Sequence, residues 1–489
     1  MSMAKETLDS ISSMVETMLQ RARIPGAGLA VVASGEVILA QGFGYRDLEA
    51  QLPLTADTAF PIASTTKAMN ATLLGMLAED DLIDWDAPVR DYLPRFELHD
   101  PRISPLVTVR DLVIMRTGLA AHDFIWMENP IIRAELVQRL RYLPQALGFR
   151  ERFQYNNLTP TVAGHVAEVV TGRRWEELLQ ERIFEPLGMS NTAFAPPAMV
   201  PATVPYHENT QRKLCITPCF AAEPIGPAGG SIYSTVADMA RWVALNLDRG
   251  RFAGCELLSP ATLSEIHAPQ VLMGSDPAAP SPDAAYALGW FVDEYNGHRR
   301  ISHTGHLHDV HSSVMLFPDD GIGMVSFINC ASSRTATLIC EHTFDRLLRL
   351  SSPQSLEDAL AQYENKIASN CKRLAEQRRV LNTVPSHAID EYTGLYTHPG
   401  YGALQITRVD ESLTFTRNQL VLPLEHWHYD AWTFRENDLF EIHKPHPFDR
   451  GQRIVFKTNG AGEIRALTMS LEPAMPAACF TKMTRPSSR

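Results

Sequence analysis

Leu8, Ile11, Met14, Val15, Met18 and Leu19 recur at helical spacing, which predicts an amphipathic helix at the start of the chain. Pro25-Gly26 breaks that pattern. Two apolar runs follow, Leu29 to Ala33 and Val37 to Ala40, split by Ser34-Gly35, and they predict a β-hairpin. An extended stretch ends in Phe60-Pro61-Ile62-Ala63. A helical pattern then opens at Ser64 and carries Met69, Leu73, Leu74, Met76 and Leu77 to the acidic Glu79-Asp80-Asp81. Helical periodicity dominates up to about residue 250, for example over Val107 to Met115 and Pro160 to Val170. The period then returns to strands at Leu288 to Val292, Ser313 to Phe317 and Gly323 to Ile328. Pro318-Asp319-Asp320-Gly321 supplies a turn between the last two. Strands at both ends with helices between them predict an α+β layer in which the early hairpin and the late strands share one antiparallel sheet.

Ser351-Ser352-Pro353 marks a boundary, followed by a charged helical stretch from Leu356 to Val380. From Tyr392 the texture changes to short alternating runs: Leu404 to Thr407, Leu413 to Phe415, Leu420 to Leu424, Trp432 to Phe434, Ile454 to Phe456 and Ile464 to Met469. Such runs, separated by turns such as Asn459-Gly460, predict a small antiparallel barrel or sandwich. The expected organisation is a domain over residues 1–350, a helical linker over 351–385 and an all-β module over 386–489.

Composition narrows the classes. The chain has 489 residues, 45% of them hydrophobic, which fits two or three globular domains and excludes a disordered or fibrous protein. A formal charge of -12 argues against a nucleic-acid partner. No apolar run reaches the ~20 residues needed to cross a bilayer, and the first residues lack the basic and apolar regions of a signal peptide. The seven cysteines are scattered without paired spacing, which argues for a reducing compartment, so a cytoplasmic location is expected.

Three segments could do chemistry. In Ser64-Thr65-Thr66-Lys67, a helix would place Lys67 one turn from Ser64. A serine hydroxyl needs a base within hydrogen-bond reach, and a lysine with a lowered pKa can serve. The plain structural reading is a helix cap beside an exposed lysine. In Tyr155-Asn156-Asn157, a phenol with its pKa lowered by nearby cations can act as a general base, and an amide can hold a substrate carbonyl. Its plain reading is a loop with a packed tyrosine and turn-forming asparagines. In Ser302-His303-Thr304-Gly305-His306, the glycine admits a substrate backbone to a sheet edge, and the next residue could offer an oxyanion N–H. Here the histidines His303, His306, His308 and His311, with Asp309, also invite a metal reading. Alternation would place His306 and His308 on one face and His303 and His311 on the other. No His-Glu-x-x-His helix accompanies them, so no metal is expected.

The order Ser-x-x-Lys, Tyr-x-Asn and His-Thr-Gly, with the linking text TVRDLVIMRTGL, PAGGSIYSTVADMARW and LGWFV, resembles the serine β-lactamase and penicillin-binding-protein superfamily over roughly residues 10–345. The likeness is greatest to its class C-like branch, with its esterases, D-amino-acid peptidases and transacylases. The resemblance implies an acyl-enzyme at Ser64, with Lys67 as activating partner and Tyr155 as proton shuttle. It gives Asn157 the positioning of the substrate amide or ester. His303-Thr304-Gly305 would stand where the family has Lys-Thr-Gly, and the N–H groups of Ser64 and His306 would form the oxyanion hole. The histidine departs from that pattern: it is charged only part of the time near neutral pH, which argues against recognition of a substrate carboxylate.

The segment from about 386, opening Asp390-Glu391-Tyr392-Thr393-Gly394, is similar to the lipocalin-like barrel attached to some peptidases of this superfamily. Two roles are open to it: lending residues to the site's rim or an oligomer, or capping passively. The aromatics at His426-Trp427-His428-Tyr429 and Trp432 suit a core, which favours the passive role. The expectation is a serine hydrolase acting on a small amide or peptide, without cofactor, nucleic acid or membrane, and with a homo-oligomer left open. An esterase or transacylase, or a catalytically silent scaffold of the same fold, are the rivals.

Overall fold

The structure is a computed structural model that describes residues 2–129, 131–196, 200–209, 211–219, 222–330, 334–376, 378–435, 451–473 and 475–483. Helix α1 (Ser2–Ala22) leads into the hairpin of β1 (Gly26–Ala33) and β2 (Glu36–Asp47). Ser34 and Gly35 both take positive φ, the turn whose twist suits a two-residue hairpin. Helix α2 (Thr66–Glu79), α3 (Leu158–Thr171) and α4 (Val236–Leu247) belong to the helical middle. The late strands are β3 (Phe291–Tyr295), β4 (His298–Leu307), β5 (Val310–Phe317) and β6 (Ile322–Ile328), followed by α5 (Thr335–Leu348). All pairings are antiparallel, in the order β3-β4-β5-β6-β1-β2, with short edge strands beyond each end. The early hairpin and the late strands thus share one sheet.

Both faces of that sheet are covered, which is why β1 reads as an unbroken apolar run and not as an alternation. Ala27, Leu29 and Val31 pack with α1 and α5, while Ala30 and Val32 face α4 and the helical subdomain. The apolar face of α1 is buried through Ile11, Met14, Val15, Met18 and Leu19. Helix α2 is buried on all sides from Thr66 to Leu77, as expected of a helix that is apolar around its circumference. Asn70 ties it to its neighbours, donating to the Pro160 carbonyl at 3.0 Å and accepting from the Trp175 indole at 2.9 Å. Each fully buried Leu or Met on α2 contributes about 1.5–3 kcal/mol of transfer free energy.

Three expectations are corrected. The helix does not open at Ser64: a 3-10 turn over Ala63–Thr65 comes first, and α2 begins at Thr66. Leu288-Gly289 is a turn with Gly289 at φ 81, so the strand begins at Phe291. The histidine faces also differ. His308 and Asp309 form a tight turn at φ 50 and 59, so β4 ends at Leu307 and His306 faces His311 across the ladder, with their rings 4.4 Å apart.

Helix α6 (Leu356–Ala375), shorter than the stretch expected to Val380, leads to a closed eight-stranded barrel. Its strands are β7 (Gly394–His398), β8 (Gly402–Val409), β9 (Ser412–Arg417), β10 (Leu420–His428), β11 (Ala431–Phe434), β12 (Arg453–Thr458), β13 (Ile464–Met469) and β14 (Ala478–Lys482). Pairing of Tyr396 with Lys482 closes the ring and removes free sheet edges. Trp427 and Trp432 are buried, whereas Tyr429, expected with them in the core, is exposed at a turn with positive φ.

Candidate active site

Ser64 sits on a sharp elbow. Ala63 before it takes φ 50, a left-handed conformation that L-residues seldom adopt and that must be held by its surroundings. Two glycines allow the close approach. A Cβ on Gly229 would lie 2.5 Å from the Ala63 carbonyl, and one on Gly305 would lie 2.8 Å from the Ser64 nitrogen. The Ser312 hydroxyl donates to the Ile62 carbonyl at 2.7 Å and fastens the elbow to β5. Any side chain at position 229 or 305 would push the serine away from the sheet.

Lys67 lies one turn on and is only 2% exposed, so the plain reading of an exposed lysine does not hold. Its Nζ is 3.0 Å from Ser64 Oγ, 2.7 Å from Asn157 Oδ1 and 2.7 Å from the Ala228 carbonyl. Burial lowers its pKa to about 7, against the pull of the nearby Asp123 carboxylate, which raises it. Two of the three neighbours are carbonyl oxygens that can only accept. They take two N–H bonds, and in the neutral amine the lone pair is left pointing at Ser64.

The asparagine pair divides the two readings of its loop. Asn156 caps α3, its Oδ1 accepting from the backbone N–H groups of Leu158 at 3.0 Å and Thr159 at 2.8 Å. Asn157 faces the site. Its Nδ2 donates to Asp123 Oδ1 at 3.0 Å, which fixes the amide with its oxygen towards Lys67. Asp123 also accepts from the Trp126 indole at 2.8 Å, and burial raises its pKa. The Tyr155 phenol lies beside Ser64, whose hydroxyl favours its ionised form, and Lys67 Nζ stands 4.9 Å from its ring centre. Burial pushes the phenol well above its ordinary value, the reverse of the lowering expected from nearby cations. At neutral pH Tyr155 is therefore a proton donor, and Lys67 is the group in the cleft that titrates near neutrality.

His303 forms the opposite wall. It is fully buried, and its ring stacks on Phe291 at 4.5 Å. Its Nδ1 is 2.7 Å from the Thr304 carbonyl, so that nitrogen carries the proton, and its Nε2 accepts from the Tyr286 hydroxyl at 3.1 Å. Burial, with Lys67 adding repulsion, lowers its pKa to about 3, which keeps it neutral. Pairing with β3 ends at Ser302, so the backbone of β4 from His303 onward presents an open edge beside the elbow. Thr304 is exposed, and the side chain of His306 turns to Asp309, 3.5 Å away. Among the described residues, no group of three or more His, Cys, Asp or Glu could hold a metal ion. Nor is any helix of the described residues long and apolar enough to cross a membrane.

The structure therefore brings Ser64, Lys67, Tyr155, Asn157, His303 and Gly305 together. Sequence reasoning missed Asp123, Tyr286 and the Ala228 carbonyl. A lone aspartate in AAHDFIW carries no spacing signal, and a backbone carbonyl carries none at all.

This elbow-and-lysine site on an antiparallel sheet agrees with the family comparison. The family model described as Beta-lactamase matches residues 11–339, and the chain belongs to that family. It is thus a hydrolase of β-lactamase fold. A second family model, described as a domain of unknown function (DUF3471), matches residues 378–481. Among named relatives, "Unguisins hydrolase ungD'" of Aspergillus campestris is 29% identical, over 81% of this chain and 77% of that protein. "Protein flp" of Staphylococcus aureus is 22% identical, over 74% of this chain and 71% of that protein. In fold, the chain is similar to the octameric penicillin-binding protein homologue from Pyrococcus abyssi, with a TM-score of 0.63 at 19% identity, covering 97% of this chain and all of that one. It is also similar to SurE, with a TM-score of 0.60 at 17% identity, covering 98% and 99%.

Proposed function

We propose that the protein is a serine hydrolase that forms an acyl-enzyme at Ser64 with a small amide or peptide. The observation that carries this reading is the buried Lys67 amine, 3.0 Å from Ser64 Oγ and held by two carbonyl acceptors. The neutral amine takes the Ser64 proton as Oγ attacks the substrate carbonyl. The N–H groups of Ser64 and His306 receive the oxyanion, the second from the open edge of β4. As the tetrahedral intermediate collapses, the Tyr155 hydroxyl protonates the leaving group, and its proton is replaced from the Lys67 ammonium. Water then attacks the ester, with the same groups working in reverse. Asn157 holds the lysine, and beside it the substrate amide.

The neutral His303 offers no fixed positive charge, which disfavours substrates held by a carboxylate. The name of the fungal relative, a hydrolase of unguisins, supports a hydrolytic reaction. An ester would acylate Ser64 by the same steps. We read residues 1–350 as the hydrolase domain and 386–489 as the barrel module, joined by 351–385.

Intact-mass spectrometry after treatment with a fluorophosphonate tests the reading. One adduct on the parent protein, absent from Ser64→Ala, is expected. A parent protein that takes no adduct, or a Ser64→Ala variant that still hydrolyses an activated ester, would remove it.

A further inference from the structure

The turn that carries Asp123 is built partly by the barrel. His122 precedes the Asp123–Ile125 turn at φ 46 and ψ 33, a left-handed conformation for a bulky residue that is not glycine. Three groups hold it there. Glu472, in the β13–β14 connection, accepts from the His122 backbone N–H at 2.6 Å. The Tyr401 hydroxyl, in the β7–β8 turn, lies 2.7 Å from His122 Nδ1. The Pro144 carbonyl lies 2.8 Å from His122 Nε2. A carbonyl can only accept, so Nε2 carries the ring proton and Nδ1 accepts from Tyr401. Burial lowers the His122 pKa to about 4, which agrees with a neutral ring.

The next residue but one strengthens the contact. Phe124 meets Tyr401 edge-on at 5.8 Å and Phe480 at 6.1 Å, while the Arg417 guanidinium lies 3.9 Å over its ring. In an up-and-down barrel the β7–β8, β9–β10 and β13–β14 connections emerge at one end. That end abuts the turn. Asp123 lies between these contacts, and through Asn157 it reaches Lys67.

Resting on the serine-hydrolase reading, we propose that the barrel is a positioning element of the active site. Glu472 and Tyr401 hold His122 in its left-handed conformation. That aims Asp123 at Asn157, and Asn157 in turn orients the Lys67 amine towards Ser64. These barrel residues touch no substrate, so they are positioning residues. This gives the module an active part that its core-like aromatics did not suggest.

Pre-steady-state bursts with a p-nitrophenyl ester on the full chain test it, using Glu472→Ala, Glu472→Gln and Tyr401→Phe. A misplaced catalytic group costs up to about 100-fold, so the burst rate constant of Glu472→Ala should fall by about 10–100-fold. Its burst amplitude should stay full and its KM should change little. Glu472→Gln keeps an oxygen for the His122 N–H and should recover most of the rate. Tyr401→Phe should slow the burst in the same way, by a smaller factor. Lost amplitude at an unchanged rate constant would mean a merely structural contact and would overturn the proposal. So would full rate in Glu472→Ala, or a Gln variant as slow as the Ala variant. If the parent shows no burst and Ser64→Ala is equally active, it is the serine-hydrolase reading that fails, a different outcome.

Discussion

The two walls of the cleft each bury one basic side chain, and the two behave differently. Burial drives both Lys67 and His303 towards the neutral form. On the elbow side, the Asp123 carboxylate opposes that drive, and Lys67 is left with a pKa of about 7. On the β4 side no such carboxylate acts, the neighbouring lysine adds repulsion, and His303 falls to about 3. Their hydrogen bonds differ in the same sense. The two carbonyl neighbours of Lys67 leave a lone pair facing Ser64, whereas Thr304 and Tyr286 use both nitrogens of His303. Burial makes a base available only where a counter-charge keeps it within reach of neutral pH and one direction is left open.

Substitutions can break or sharpen this contrast. The largest effect is expected for Lys67→Met, which keeps the volume but removes the amine. Acylation by an activated ester should fall by about four decades, the upper range for loss of a general base. A loss below about tenfold would show that Lys67 does not take the proton. Tyr155→Phe comes next. Stopped-flow measurement on an amide substrate should show a fall of about 2–4 decades, with a smaller fall on an activated ester whose leaving group needs no proton. Equal losses on both would move the phenol's role away from the leaving group. The smallest effect on rate is expected for His303→Phe, which keeps the stack on Phe291 and the neutral charge. Acylation should change by less than about tenfold, while denaturant unfolding should show a loss of about 1–3 kcal/mol from the unpaired Tyr286 hydroxyl and Thr304 carbonyl. A loss of several decades in rate with unchanged stability would make His303 a chemical participant and erase the contrast.

Much of the fold was legible because burial leaves a period. The apolar face of α1, the Ser34-Gly35 turn and the barrel strands all carry local signals. The start of strand β4 was hidden, because HRRISHTGHL mixes charged residues and histidines with no clean alternation, and only its edge near Gly305 was read from the sequence. Its end was hidden too, since His308 and Asp309 take positive φ without a glycine to announce it. Within the site, the spacing of Ser64 and Lys67 put the pair on one turn even though the helix begins later than expected. The direction of the Tyr155 shift was not legible. It depends on how much protein covers the phenol, and a sequence neighbourhood does not record that. The barrel contacts of the turn that carries Asp123 are long-range pairings, 350 residues apart for His122 and Glu472. No local pattern encodes them.

The pH dependence of acylation tests the central claim most directly. In the proposed mechanism a neutral Lys67 activates Ser64, and the neutral fraction of that amine rises with pH through about 7. The burst rate constant with a non-ionising ester should therefore climb nearly tenfold per unit below that point and level off above it. A rate that stays flat from about pH 5 to 9 would contradict the account, because no proton would then be leaving a group with the pKa that burial gives Lys67.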